Sequence, residues 1–89
     1  MRSSVAETTA RRILIVDDDE PLLRFITRGL ARAGFTTLAA DSGSSGIAQL
    51  RAQSFDCVLF DLYMPGVDGL DVLRFSRTLS PPPPFIVLT

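Results

Sequence analysis

Acidic residues that directly follow apolar runs are the groups in this 89-residue sequence most suited to chemistry. Asp17, Asp18 and Asp19 follow one run, and Asp61 follows another. If both runs are strands of one parallel sheet, the acids that follow them meet at one edge of that sheet. Carboxylates brought this close repel each other, and a hard divalent cation with oxygen ligands relieves the repulsion. The sequence therefore predicts a magnesium site suited to phosphoryl chemistry.

A structural role accounts for some of these side chains. Acids between a strand and a helix cap the helix and interact favourably with its dipole, and we assign Asp19 and Glu20 to that role. Asp61 precedes a loop rich in Gly and Pro instead of an immediate helix, so we keep it as a functional candidate. The single cysteine, Cys57, is interpreted as a small core residue.

Apolar periodicity predicts strands and helices in alternation along the chain. Strands are expected over residues 13–16, 35–40, 57–60 and 85–88, and helical apolar stripes are expected over residues 22–33, 47–50 and 70–79. The second strand is less apolar than the first, which favours a position near an edge of the sheet. Alternation of this kind implies right-handed crossovers and a parallel sheet, so the fold class is α/β.

Local signals define the ends of the helices. Asp19 can cap the first helix with Pro21 in its first turn, and Gly34 can end it. Asp41 or Ser42 offers a cap for the second helix, in which two glycines each lower stability by about 1 kcal/mol relative to Ala. A run of four prolines, residues 81–84, is expected to stop the third helix.

Composition excludes several classes of protein. The length suits one small domain, for which we predict a disordered lead over residues 1–10 and an ordered domain over residues 11–89. The longest uncharged apolar runs are far shorter than the ~18 residues of a membrane span. A net charge of −1 provides no basic surface for nucleic acid. With a single cysteine and no secretion signal, we expect a cytoplasmic protein.

Three separated segments carry a family resemblance. ILIVDDDE at residues 13–20, FDCVLFDLYMPGVDGL at 55–70 and PFIVLT at 84–89 resemble the receiver domain of bacterial two-component response regulators. The resemblance covers residues 11–89. It is specific because an acidic pair, a D-x-x-M-P-x-x-x-G segment and a terminal hydroxyl occur in the same order and spacing as in that family.

The resemblance implies a role for each site residue. Asp61 corresponds to the phosphoacceptor, and Asp17 and Asp18 correspond to the acids that hold Mg²⁺ together with Asp61 and the main-chain carbonyl of Tyr63. Thr89 corresponds to the hydroxyl that bonds the phosphoryl group and moves when the domain switches. The implied donor is a phosphohistidine on a sensor histidine kinase or phosphotransfer protein, with small acyl phosphates as another source. The domain would be a self-phosphorylating phosphoacceptor in signal transduction and not a turnover enzyme.

The sequence also departs from that family. Receivers resemble a flavodoxin-like, doubly wound sheet of five strands in the order 2-1-3-4-5. Here we expect an incomplete sheet in the order 2-1-3-4, lacking the final strand and two helices, as in a fragment or truncated form. The family's strand-5 lysine has no counterpart, because all nine basic residues are arginine. We expect the 89 residues alone to be largely molten, or associated through strand 4 by self-pairing or by exchange with a partner chain.

Two other functions stay open. A receiver-like interaction module could keep the fold without phosphorylation, and the missing lysine favours that alternative. A haloacid-dehalogenase-type phosphotransferase is the other, since Asp17-x-Asp19 after a strand and Thr89 after a later strand mimic its motifs. Pro21 does not fit that second family, which also leaves Asp61 without a role.

Overall fold

The computed structural model describes residues 11–66 and 69–88, in which four strands alternate with three helices. The strands are β1 (Arg12–Val16), β2 (Thr36–Ala40), β3 (Cys57–Asp61) and β4 (Phe85–Leu88), and the helices are α1 (Glu20–Arg32), α2 (Gly43–Ala52) and α3 (Gly69–Ser76). All strand pairs are parallel, in the order β2-β1-β3-β4. This confirms the predicted α/β class and strand order. The lead predicted for residues 1–10 lies outside the described residues.

Helices cover both faces of the sheet, because alternate residues of each buried strand point in opposite directions. On one face, α2 and α3 pack on a core that includes Leu14, Val58 and Phe60, all almost completely buried. On the other face, α1 packs through Leu23 on a smaller cluster around Ile15. The central strands β1 and β3 are therefore buried on both sides, as their continuous apolar runs predicted.

Side-chain caps begin the first two helices. Asp19 Oδ1 accepts a hydrogen bond from the Leu22 amide at 3.1 Å, which confirms Asp19 as the cap of α1. Of the two candidates for α2, Ser42 is the cap, since its Oγ accepts from the Ser45 amide at 3.1 Å. Gly34 follows the end of α1 with φ 98°, a conformation that favours glycine.

Close packing explains one of the glycines in α2. A Cβ atom at Gly46 would lie 2.9 Å from Cγ2 of Val16 in β1. The sequence indicated only the helix-weakening effect of this glycine. The structure shows its compensation, which is that α2 can approach the centre of the sheet closely.

The third helix is shorter than its apolar stripe predicted. It ends at Ser76, and Leu79 reaches the core from the turns that follow. The hydroxyls of Ser76 and Thr78 donate to the carbonyls of Leu73 and Phe75. Such local bonds compete with a continuing helix, so α3 ends before the prolines that were expected to stop it.

The described sheet has β2 and β4 at its edges. The edge position of β2 was predicted from its weaker hydrophobicity. In β4, Ile86 and Val87 remain 51% and 48% exposed. Among the described residues, no helix is long and apolar enough to cross a membrane.

Candidate functional site

The carboxyl ends of β1 and β3 lie side by side and bring the predicted acids together. The two strands pair so that Val16 lies opposite Phe60, and each of these residues precedes an aspartate. One carboxylate oxygen from each of Asp17, Asp18 and Asp61 lies within 4.8 Å of the others. The acids therefore meet as the topology rule predicted.

Asp17 is the buried member of this acidic cluster, with only 3% of its surface exposed. Its Oδ1 accepts a hydrogen bond from the Asp19 amide at 3.0 Å. Burial raises the pKa of Asp17, and the nearby charges of Asp61, Asp18 and Asp19 raise it further, while the hydrogen bond opposes these effects. An ionised Asp17 is therefore destabilised until a cation balances the charge around it.

Asp61 is the last residue of β3, although the sequence placed it just after the strand. Its main chain is held beside Leu88 of β4, and its Oδ1 accepts a hydrogen bond from the Tyr63 amide at 3.1 Å. Met64 is buried in the core and fixes the loop that follows. The Asp61 carboxylate is thus attached to a rigid strand and is only partly buried.

The neighbouring acids Asp19 and Glu20 have structural contacts. Asp19 caps α1, and Glu20 lies 3.5 Å from Arg24 in an exposed ion pair, a type that contributes little to stability. Both observations agree with the capping role predicted for these two residues. They also disfavour a nucleophilic Asp17-x-Asp19 pair, because the second acid is engaged with the helix.

The acidic cluster opens into a cleft of about 440 Å³. Its walls combine the acids with apolar side chains from α1 and β4, namely Asp17, Asp18, Asp19, Asp61, Leu22, Ile26 and Leu88. Sequence reasoning missed this apolar wall. The i, i+4 spacing of Leu22 and Ile26 indicated a common helix face, but not that this face borders the site.

Two other predicted site residues stand differently. The side chain of Tyr63 is 77% exposed, and its amide already contacts Asp61. The ligand role of its carbonyl stays a prediction. Thr89 lies outside the described residues, so its role stays a prediction as well.

Cys57 was a possible competing nucleophile. Its side chain is partly buried and packs on the smaller core cluster. Burial raises the pKa of the Cys57 thiol, so the thiol is protonated at neutral pH. The core role predicted for this residue agrees with its position.

The geometry of the acidic cluster suits a hard divalent cation. Its three carboxylates supply oxygen ligands, which Mg²⁺ prefers, and its open side leaves room for water or phosphate oxygens. Because Asp17 is buried among like charges, binding of a cation also removes an electrostatic penalty of the fold.

Comparisons with known proteins agree with this arrangement. A family model described as the response regulator receiver domain matches residues 13–89. The chain is 40% identical over 83 residues to the DNA-binding response regulator MtrA of Mycolicibacterium smegmatis, a match that covers 93% of this chain and 36% of MtrA. It is 32% identical over 78 residues to the transcriptional regulatory protein CusR of Escherichia coli, covering 88% of this chain and 34% of CusR. The chain thus spans about a third of the length of these curated relatives.

A solved structure supports the same relationship. The response regulator receiver domain protein (CheY-like) from Methanospirillum hungatei superposes with a TM-score of 0.79 at 35% identity. The superposition covers 88% of this chain and 64% of that protein. The four strands and three helices therefore match a known receiver fold over most of their length.

Proposed function

This chain belongs to the response regulator receiver domain family, and we propose that its Asp61 accepts a phosphoryl group while Asp17, Asp18 and Asp61 hold Mg²⁺. The observation that carries the proposal is the meeting of these three carboxylates within 4.8 Å at the mouth of an open cleft. The domain then acts as a stoichiometric phosphoacceptor in signalling, and not as a turnover enzyme.

The surroundings favour Asp61 over Asp17 as the nucleophile. Asp17 is almost fully buried and accepts a hydrogen bond from the Asp19 amide, which leaves it little access to a donor. Asp61 is more accessible, lines the cleft and is positioned by β3. A nucleophile fixed on a strand lowers the entropic part of the barrier, since its approach to phosphorus is already oriented.

The proposed step forms a bond between an Asp61 carboxylate oxygen and phosphorus as the bond from phosphorus to the donor breaks. The bonding electrons leave with the donor group, and the product is an aspartyl phosphate. Bound Mg²⁺ supplies charge neutralisation and alignment for this displacement. We assign the Tyr63 carbonyl as a further metal ligand and the Thr89 hydroxyl as a hydrogen-bond donor to the phosphoryl group.

Receiver domains of response regulators interact with histidine kinases or phosphotransfer proteins, and we propose a sensor histidine kinase as the donor for this chain. The chain itself contains no histidine, so the phosphohistidine must come from another protein. DNA binding belongs to the printed description of MtrA, of which this chain covers about a third. We propose no nucleic-acid contact for these 89 residues.

Mapping the phosphoryl group tests the proposal. The chain is incubated with acetyl phosphate with and without Mg²⁺, and peptide mass spectrometry after borohydride trapping locates the modified residue. We expect one phosphoryl group on Asp61, formed only with Mg²⁺. Modification of Asp17 would instead support the phosphotransferase alternative. No modification of a folded, Mg²⁺-loaded chain would support the unphosphorylated interaction module.

Two adjacent acids should differ in their contribution to metal binding. Asp18 belongs to the acidic cluster, whereas Asp19 caps α1. We expect Asp18→Ala to weaken Mg²⁺ binding at least roughly tenfold, the scale of losses at metal sites. We expect Asp19→Ala mainly to lower stability by about 1 kcal/mol through loss of the cap. Calorimetric titration and thermal melting measure the two effects, and equal losses of Mg²⁺ affinity would contradict these assignments.

Asp17→Asn should stabilise the metal-free fold. The change removes a buried charge that faces other carboxylates and keeps an oxygen for the Asp19 amide. In chelator we expect the free energy of unfolding to rise by up to about 1 kcal/mol, the range for water-accessible charge pairs. Added Mg²⁺ should raise the melting temperature of the wild type more than that of the variant.

The pH dependence of the same pair of proteins provides a control. The pKa of Asp17 is raised above its ordinary value of 3.8, so the folded chain binds a proton more tightly than the unfolded chain. Metal-free wild type should therefore lose stability as the pH rises from 3.8 through the raised pKa. The Asn variant should lack this component, and identical pH profiles would contradict the proposed repulsion.

A further inference from the structure

The outer edge of β4 carries backbone groups without a strand partner in the part of the chain that the structure describes. The Val58 amide donates to the Pro84 carbonyl at 2.9 Å. In a parallel ladder the Val58 carbonyl then accepts from the Ile86 amide, so these groups of Pro84 and Ile86 point towards β3. The N–H and C=O groups of Phe85 and Val87 consequently point outwards, as a template for another strand.

The side chains of β4 do not protect this edge. Ile86 lies on the α1 face of the sheet and is 51% exposed, while Val87 lies on the opposite face and is 48% exposed. The strand Phe85–Leu88 contains neither a charge nor a proline, which are two common devices that block edge pairing. The apolar surface also continues through Leu88 into the wall of the cleft.

We propose that a second copy of this chain pairs with β4 in antiparallel fashion about a two-fold axis and extends the sheet across both copies. A two-fold interface brings the same surface of each copy together, so that surface must be self-complementary. The strand meets this requirement, because its four residues are uncharged and apolar and place no like charges opposite each other. The chain's net charge of −1 also leaves little general repulsion between copies.

The outward-pointing backbone groups select the register. When Phe85 lies opposite Val87 of the second copy, both residues exchange N–H···O=C bonds with their partners. The two-fold axis then passes beside Ile86, which lies opposite Ile86 of the second copy. This position is a non-hydrogen-bonded pair, in which side chains approach most closely, with Cα atoms about 4.5 Å apart. Two half-exposed isoleucines are buried against each other as a result.

The size of the contact sets the expected affinity. A four-residue strand and its flanking side chains form a small interface, and interfaces below about 1,200 Å² are usually weak. We therefore expect a reversible dimer whose population rises with concentration across the micromolar range. Sedimentation equilibrium of the 89-residue chain at several concentrations measures it directly.

Charge reversal at the axis provides the sharpest test. In Ile86→Lys or in Ile86→Glu the two copies would place like charges opposite each other, and we expect each variant to raise the dissociation constant at least roughly tenfold. An equimolar mixture should recover a heterodimer, since Lys then faces Glu. Phe25→Lys, at a residue of α1 that is 77% exposed, is the matched control and should leave the dissociation constant unchanged.

A cross-link checks the register. In a Cys57→Ala background, Ile86→Cys should form an intermolecular disulfide under mild oxidation, whereas Phe25→Cys should not. Circular dichroism with thermal melting confirms that each variant folds. The proposal is overturned by a cooperatively folded monomer at all concentrations, by a dimer insensitive to both charged variants at position 86, or by a chain without a cooperative transition.

Discussion

Asp61→Asn is expected to reduce phosphoryl incorporation by at least roughly a thousandfold while the domain stays folded. The amide oxygen of asparagine is a far poorer nucleophile than a carboxylate, so the bond to phosphorus does not form at a useful rate. The substitution is nearly isosteric, and its oxygen can still accept the hydrogen bond from the Tyr63 amide. Intact-mass spectrometry after incubation with acetyl phosphate and Mg²⁺ measures the incorporation.

Asp56→Asn is the matched control for this experiment. Asp56 precedes β3 at the opposite end of the strand, where its Oδ2 accepts a hydrogen bond from the Arg12 amide at 2.8 Å. It lies outside the acidic cluster, and we expect the wild-type rate of incorporation. Equal rates for wild type and Asp61→Asn would show that the phosphoryl group is attached to another residue.

Gly69→Ala is expected to destabilise the fold by about 1–3 kcal/mol, the usual range for overpacking. A Cβ atom at this position would lie 2.5 Å from Cδ2 of Phe60 and 2.6 Å from the main-chain oxygen of Asp61. Phe60 is almost fully buried and its ring packs against Phe85, so it has little freedom to move. The displacement must therefore reach the backbone of Asp61, and we also expect slower phosphoryl incorporation.

Gly29→Ala provides a control of opposite sign. A Cβ atom at Gly29 in the middle of α1 would contact nothing within 4 Å. Because alanine favours helix more than glycine does, this variant should gain about 0.5–1 kcal/mol of stability. Urea unfolding of both variants measures the difference. A neutral or stabilising Gly69→Ala would mean that α3 can move away from β3 without loss.

Much of the sheet could be predicted from sequence because its strongest signals are local. β1, β3 and β4 each consist of a short apolar run with clear limits, and Asp19 and Ser42 are ordinary helix caps. The meeting of Asp17 and Asp61 followed from one topological rule, since parallel strands bring their carboxyl ends to the same edge. These predictions needed no knowledge of how side chains pack.

The features that escaped prediction depend on contacts between distant segments. Gly46 and Gly69 are glycines because another element lies against them, which their own neighbours in sequence do not reveal. The apolar wall of the cleft joins Ile26 of α1 to Leu88 of β4, two residues far apart in the chain. The early end of α3 reflects competition between hydroxyl side chains and the helix, and an apolar stripe does not report that competition.

Leu88 links two regions that have been treated separately. It lines the cleft that contains the acidic cluster, and it is the last residue of the edge strand β4, paired with Asp61. Occupancy of the cleft and dimerisation at the edge therefore share a residue, which allows a coupling free energy between them. Thermodynamic linkage makes such a coupling reciprocal. Whatever factor Mg²⁺ applies to the affinity between two copies, dimerisation must apply the same factor to the affinity for Mg²⁺, so the metal dependence of this domain would change with its concentration.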